Sequence, residues 1–454
     1  VSGGARTRTG GRRPPVVLYQ PRDEGASMPL GLLAVGSQLP DENVVIVDGR
    51  FELAPEARVA ELAQHAACLA VTVRTGPPLR DALRVSAAAR VVNPRLTILW
   101  GGPHATLSPE SCLAAAPVDG CVRGAGEGAL PGLVRALHSG RFLGGIPGVA
   151  VASEPLPEVR PAPPPDRWPR ANYSLLDLER HFEARGGRRL DYCSSRGARD
   201  GGSWSGLPAE RVLAELGELV DRHGLAEVLF QDEDFFADPR RAEAIAAGLA
   251  NGDPRLGWRA TARVDDVLEG GHDRLRLLSA SGCRRLHVPV PPGVPARGGL
   301  RERVLDAAAL LHAARLGARF EIELTGGAAR LEALKASVSL ARSLCALDGR
   351  FETPLRRALE IGESHSDGAS LEAWIARADR PWLDSRAERR LSRVSFFFRE
   401  AQRPPGRRLG QYLLRTLSLL RVRLGFFALD LERLAVEASA VLRTGRPRAR
   451  RRAD

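Results

Sequence analysis

The sequence predicts an α/β protein: a doubly wound parallel sheet first, then a second alternating domain, then a helical C-terminal region. Two observations predict it. Short, continuous apolar runs closed by Gly or Pro recur along the chain, as strands buried on both faces read. Segments of helical apolar spacing alternate with them, and a β–α–β order folds as a parallel sheet with helices on its faces. At 454 residues the chain has room for two or three domains, each with its own core.

The first domain is expected over residues 15–150, after a basic arm at 1–14. Val16-Val17-Leu18-Tyr19 is the first strand, closed by Gln20-Pro21. Pro29 near a first turn opens a helix through Leu33. Val44 to Asp48 is the second strand, 55–66 a helix, and Ala67 to Val73 the third strand. A turn at Thr75-Gly76-Pro77-Pro78 leads to a helix ending near Val91. Leu96 to Trp100 is the fourth strand and Gly120 to Arg123 the fifth, with a helix after the Gly124–Gly128 loop. Ligands of such sheets bind beyond the carboxyl ends of the strands. Those ends carry Arg74-Thr75-Gly76, Gly101-Gly102-Pro103-His104 and the Gly124–Gly128 loop, whose glycines let backbone approach a large flat or phosphorylated ligand.

Residues 151–172 read as a Pro-rich linker without secondary structure of its own. The second domain is expected over 173–384, its first strand ending at Ser194. A helix over 209–223, a strand at Val228-Leu229-Phe230 and a helix over 239–250 follow. Strands at Gly257–Thr261, Leu286–Val290 and Phe320–Leu324 complete the alternation. Residues 385–442 read as helices, with Phe396-Phe397-Phe398, Tyr412-Leu413-Leu414 and Phe426-Phe427 as core or as a lid; an amphipathic partner- or membrane-binding helix is the alternative. A basic tail occupies 443–454.

Composition narrows the function classes. No run reaches the roughly 18–20 apolar residues of a membrane helix, and Leu413–Leu429 is broken by Arg415, Arg421 and Arg423. No signal peptide is expected, and six scattered cysteines suit a reducing cytoplasm. The net charge is +12, but residues 1–13 carry +4 and 443–454 carry +5, leaving +3 for the body. Nucleic-acid binders place charge on a folded face, so no nucleic-acid function is expected.

The stretch Asp191 to Leu207 organises the rest. Leu190 to Gly197 reads as a short strand and a polar turn. Its Ser195-Arg196-Gly197 resembles the start of the SRG-CxxxCxxC signature of the radical S-adenosylmethionine (SAM) family, in which three thiolates hold a [4Fe–4S] cluster. Counting on from Gly197 places the ligand positions at Ala198, Gly202 and Ser205. Alternatively Trp204–Glu210 resembles the segment after the cluster, and the loop is shortened. Neither alignment supplies a thiolate: Cys193 stands alone, and the other five cysteines have no CxxC spacing. PLGLL at 29–33, TVRTGPP at 72–78, WGGPHATLSPE at 100–110 and VRGAGEG at 122–128 resemble the cobalamin-binding domain at the N-terminus of many radical SAM proteins. QDEDFF at 231–236, WRATAR at 258–263, LEAW at 371–374 and RPWL at 380–383 continue the likeness, which implies a partial (β/α) barrel of radical SAM type for the second domain.

The resemblance implies cobalamin at the C-terminal edge of the first sheet. Candidate contacts are Leu30, Gly31, Arg74, Thr75, Gly76, Gly101, Gly102, Pro103, His104, Gly124, Gly126 and Glu127. Arg74 is expected nearest the lower face of cobalt, with solvent exposure as the alternative; His104 would touch the corrin edge or cap its turn. The DxHxxG motif is absent, since Asp48 is followed by Gly49-Arg50. Two turns that hold SAM in the family are replaced by Val288–Gly293 and Thr325-Gly326-Gly327-Ala328. Asp232, Glu233 and Asp234 at the barrel mouth are candidate general acid/base groups, or an inherited polar rim; no metal site is expected. The chain thus reads as a cobalamin-dependent enzyme acting without a cluster, transferring a methyl or other alkyl group to a small molecule in secondary metabolism. The alternatives are a non-catalytic cobalamin-binding regulator, photoreceptor or partner of an intact radical SAM protein, or a scaffold that has lost both cofactors. SAM binding, a protein partner and homo-oligomerisation stay open.

Overall fold

A computed structural model describes residues 13–357 except 24–26, 142, 202, 253–255, 292–298 and 325–329, together with 371–372, 413, 415–418 and 420. Residues 1–12 of the arm, the turn at 325–328, Pro292 and Gly293, Trp374, the RPWL segment, nearly all of 385–442 and the tail lie outside the described residues. The chain divides into two compact units: Val1–Arg196 with Ser203–Ala226 and Ile361–Arg380, and Gly197–Gly202 with Glu227–Glu360 and Pro381–Asp454.

The first unit opens with β1 (Val16–Gln20), α1 (Leu30–Gly36), β2 (Val44–Asp48), α2 (Pro55–Ala63), β3 (Cys68–Thr72), α3 (Pro78–Val92) and β4 (Thr97–Gly101). Two short helices, α4 (Pro103–Leu107) and α5 (Pro109–Leu113), lead to β5 (Gly120–Val122), α6 (Gly126–His138) and β6 (Val149–Ala150). The sheet order is β2-β1-β3-β4-β5-β6. The first five strands are parallel, and the chain reverses direction across the sheet between β1 and β3, where an open α/β sheet offers a binding crevice. β6 is antiparallel to β5, an edge strand too short for the sequence pattern to show.

Strand alternation sends side chains into two cores. On one face Val17, Tyr19, Val71, Ile98 and Trp100 pack with Val59 of α2 and Leu79, Ala82 and Val85 of α3. On the other, Val16, Leu18, Leu99 and Val122 pack with Leu32 of α1 and Ala129, Leu130 and Leu133 of α6. Burial on both faces explains why these strands read as unbroken apolar runs.

The Pro-rich stretch is not bare. It holds a 3-10 turn at Pro165–Arg167, and Arg160 bridges to Gly124 in parallel. The Arg160 carbonyl accepts from Ala125 N at 2.9 Å, while its N–H donates to Arg123 O at 3.1 Å. A Cβ on Gly124 would meet the Arg160 carbonyl at 2.1 Å, and its φ is +83°, so only glycine fits. Proline content suggested a spacer, but these backbone bonds fasten the stretch to the loop after β5. The unit continues through α7 (Leu178–Arg185), β7 (Arg189–Tyr192), β8 (Ser195–Arg196), β9 (Ser205–Gly206) and α8 (Ala209–His223). The Asp177 carboxylate caps α7 by accepting from Arg180 N, and Gly186 in the left-handed region ends it.

The second unit contains β10 (Glu227–Phe230), α9 (Pro239–Ala250), β11 (Gly257–Thr261), α10 (Val264–Ala280), β12 (Cys283–Val290), α11 (Leu300–Ala313), β13 (Gly317–Leu324), α12 (Arg330–Leu347) and β14 (Leu355–Arg357). These five strands are parallel and lie in sequence order, as in a partial (β/α) barrel. β12 and β13 each begin three residues before the expected start. Their first halves alternate: Leu286, Val288, Ala318 and Phe320 are buried, while Arg285, His287, Arg319 and Glu321 stand on the other face. That face is salt-bridged, with Arg259 to Glu227 at 2.6 Å and Arg285 to Glu352 at 2.7 Å.

Candidate functional site

A cavity of about 210 Å³ opens in the first unit between the sheet and helices α1 and α6. Its floor is one row of the sheet, because Leu18 pairs with Ala70 and Ala70 with Leu99. Ala70, the smallest of the three, leaves the hollow between two leucines. Leu32 and Val35 of α1, Val122 of β5 and Leu130 of α6 make the walls. Thr72, Gly101, Gly102 and the loop Gly124-Ala125-Gly126 form the rim at the carboxyl ends of the strands.

Glycine has two uses here. A Cβ on Gly31 would meet nothing within 4 Å, so any larger side chain there enters open space at the cavity wall. At Gly102, with φ +92°, a Cβ would strike Thr72 Oγ1 at 2.8 Å and Val73 O at 3.0 Å. The rim therefore folds closely only with glycine.

One cationic side chain lines the cavity among the described residues: Arg196, from the Ser-Arg-Gly turn. Residues 195–196 and 205–206 form a small antiparallel hairpin in which Arg196 pairs with Ser205. The guanidinium lies 4.6 Å from the centroid of the Trp168 ring and 2.5 Å from Glu127 Oε1. Glu127, in the first turn of α6, is buried.

Of the residues expected to hold cofactor, Gly31, Gly101, Gly102, Gly124, Gly126 and Glu127 line this cavity; Leu30, Arg74, Thr75, Gly76, Pro103 and His104 do not. The Arg74 side chain is 63 % exposed and pairs with Asp23 at 3.3 Å. His104 is buried, with Nδ1 3.0 Å from Thr75 Oγ1 and Nε2 3.4 Å from Ser111 Oγ. Cys112, also buried, interacts with Cys121 and with His104; the hydrogen bond with Cys121 leads in lowering its thiol, against the effect of burial. Thr75 and His104 thus belong to a polar cluster under the rim. Arg50 folds back on Asp48, with its Nε 2.8 Å and Nη2 2.5 Å from the carboxylate oxygens. Of the cavity residues outside the expected set, Leu18, Ala70 and Leu99 read only as strand, and Val35 and Leu130 only as helix. Leu32, Val122 and Arg196 lie inside the motifs PLGLL, VRGAGEG and Ser-Arg-Gly but were not singled out.

Arg199 and Asp200, which follow the first expected ligand position, are held in the second unit by ionic contacts. Asp234 accepts from the backbone N, Nε and Nη2 of Arg199 at 3.1, 2.9 and 2.7 Å. Arg199 Nη2 also reaches Asp266 at 2.7 Å, and Arg263 reaches Asp234 at 3.1 Å and Asp200 at 2.5 Å. Burial alone would raise the Asp234 carboxyl, but the Arg199 hydrogen bonds outweigh it and hold the group below its ordinary value. Burial raises Asp266. Asp234 is therefore an ionised anchor rather than a poised acid or base. Asp232 is also buried, and Glu233 is exposed. No group of three His, Cys, Asp or Glu side chains among the described residues could hold a metal.

The first unit can also be matched to known proteins. Its residues 23–134 match the model of the B12 binding domain. This segment is a B12-binding domain. An uncharacterized methyltransferase of Pyrococcus horikoshii is 28 % identical over 288 residues, covering 59 % of this chain and 61 % of that protein. The anaerobic magnesium-protoporphyrin IX monomethyl ester cyclase of Rubrivivax gelatinosus is 27 % identical over 224 residues, covering 44 % of this chain and 39 % of the cyclase. The chain thus spans less than two thirds of the curated relatives it matches. Among solved structures, the radical SAM methyltransferase TsrM of Kitasatospora setae aligns with TM-score 0.60 at 18 % identity, over 75 % of this chain and 72 % of TsrM. The cobalamin-dependent radical SAM enzyme OxsB aligns with TM-score 0.60 at 17 % identity, over 83 % of this chain and 56 % of OxsB. The B12-binding segment therefore sits in a chain with the fold of cobalamin-dependent radical SAM enzymes. No helix among the described residues is long and apolar enough to cross a membrane.

The cavity suits part of a corrinoid. Pockets for whole ligands run to roughly 300–1,000 Å³, so about 210 Å³ admits a fragment and not the macrocycle. The flat, apolar aromatic base at the end of cobalamin's nucleotide arm matches the hydrocarbon floor, and the glycine rim leaves the strand ends open to the ring.

Proposed function

We propose that the chain is a cobalamin-dependent enzyme that works without a [4Fe–4S] cluster and transfers a methyl or other alkyl group to a small molecule. The observation that carries this reading is the apolar, glycine-rimmed cavity inside the B12-binding segment. Bound cobalamin would supply alkyl-transfer chemistry that amino-acid side chains lack. Leu18, Ala70, Leu99 and Val122 would seat the aromatic base and exclude water from it. Gly101, Gly102 and Gly124–Gly126 would let the rest of the corrinoid lie close to backbone. The folding of Arg50 onto Asp48 keeps both side chains occupied with one another.

The donor set supports the cluster-free part. Cluster iron prefers thiolate, and the aligned positions offer Ala198, Gly202 and Ser205, the last paired in a hairpin with Arg196. Arg199, next to Ala198, turns the loop towards Asp234 and Asp266. The same Asp234 network favours a second reading, a non-catalytic cobalamin-binding protein, because it removes one of the sequence's acid/base candidates.

A visible-absorption titration of the purified protein with hydroxocobalamin and methylcobalamin in the dark, with iron measured on the same sample, tests the reading. A bound corrinoid with a base-off spectrum and no iron is expected. Stoichiometric iron with a cluster spectrum would defeat the cluster-free assignment, and failure to bind either corrinoid at micromolar concentration would defeat the cofactor assignment. Methyl transfer from bound methylcobalamin to a screened substrate separates enzyme from binding protein.

A further inference from the structure

We propose that Arg196 is the phosphate-binding residue of this cavity, so that the site selects corrinoids bearing a phosphorylated side arm. The inference rests on the cobalamin reading above and adds the group that sets its specificity. The lining is apolar or glycine apart from Thr72, Glu127 and Arg196. The Arg196 side chain is 26 % exposed, whereas Leu18 and Leu99 are buried, so the guanidinium stands at the open end of the hollow.

Its position is fixed from two sides. The Trp168 ring backs it at 4.6 Å, and Trp168 is itself held by an Nε1 hydrogen bond to the Pro163 carbonyl at 2.6 Å. Glu127 takes the Nη1 end at 2.5 Å. A guanidinium has five N–H donors in a planar fork, so one carboxylate oxygen does not exhaust it.

The ligand chemistry supplies the remaining step. Cobalamin's arm joins the corrin to the aromatic base through a phosphodiester, the one formal charge of the arm. A base seated on Leu18, Ala70 and Leu99 draws that phosphate towards the open end. An anion leaving water there needs a counter-charge, and a planar guanidinium binds phosphate oxygens well. Glu127 already balances the arginine's charge, so the phosphate would be held by the guanidinium's remaining N–H donors.

Cobinamide lacks both phosphate and base, and cobinamide phosphate adds only the phosphate. Both are titrated by visible absorption into the wild-type chain and into R196Q. Wild type is expected to bind cobinamide phosphate at least about tenfold more tightly than cobinamide, as a charge-assisted contact warrants. R196Q is expected to erase that preference while holding cobinamide within about twofold of wild type. Equal wild-type affinity for the two compounds overturns the proposal, and that comparison needs no variant to fold. So does an R196Q chain that weakens on both compounds alike. If wild type binds neither these compounds nor hydroxocobalamin, the cobalamin reading fails and this inference falls with it; if hydroxocobalamin binds and the phosphate preference is missing, only the Arg196 assignment fails.

Discussion

Asp234 lies buried beneath two guanidiniums, and breaking such a pair strands a charge out of water. Because Arg199 itself is about one-third exposed, R199Q is expected to cost about 2 kcal/mol rather than the 3–5 of a fully buried pair. D234N should cost a similar amount, and chemical denaturation of the double variant should show coupling of about 1 kcal/mol or more. The Ser-Arg-Gly turn was legible as a motif, but the ionic anchor that follows it was not: Arg199 and Asp234 lie 35 residues apart, and no periodicity links them. His181 gives a pH effect of known sign. It is buried, edge-on to Phe51, and burial lowers its folded pKa to about 4 from an ordinary 6.5. The unfolded chain therefore binds the extra proton between those values, so stability falls as pH drops from 6.5 to 4, by up to about 3 kcal/mol. H181F should flatten that slope in urea unfolding at pH 7, 5 and 4.

Helix α1 carries a conflict between folding and binding at Gly31. Glycine inside a helix is less favourable than alanine by about 0.8–1 kcal/mol, and a Cβ there would meet nothing. G31A should accordingly raise the melting temperature of the ligand-free chain, whereas G31L should fill the hollow and weaken hydroxocobalamin binding by about tenfold or more, on the scale of a lost apolar contact. Loss of both stability and binding in G31L would point to a packed site instead. Most elements were legible because burial on both sheet faces leaves continuous apolar runs, and the helix Ala209–His223 falls where its periodicity placed it. The misses have local causes. β6 is two residues long. The starts of β12 and β13 are masked by arginines that belong to a polar strand face. The Pro-rich stretch is tied down by backbone bonds from Arg160, which composition does not record.

At the scale of the whole chain, the cavity is lined entirely by residues of the first compact unit. A corrinoid at a hundred times its dissociation constant would stabilise that unit by about 2.7 kcal/mol. Hydrogen exchange should slow most in peptides from β1, β3, β4, α1 and α6; protection confined to the second unit would contradict the site. The row Leu18–Ala70–Leu99 carries a last consequence. Its hydrocarbon surface offers nothing to the ring nitrogens and amine of a purine, and each buried unpaired polar atom costs about 1–3 kcal/mol. Corrinoids made with adenine as the lower base should bind more weakly than those made with dimethylbenzimidazole. The floor would thus sort natural corrinoids by the polarity of the lower base, favouring those with a hydrocarbon edge.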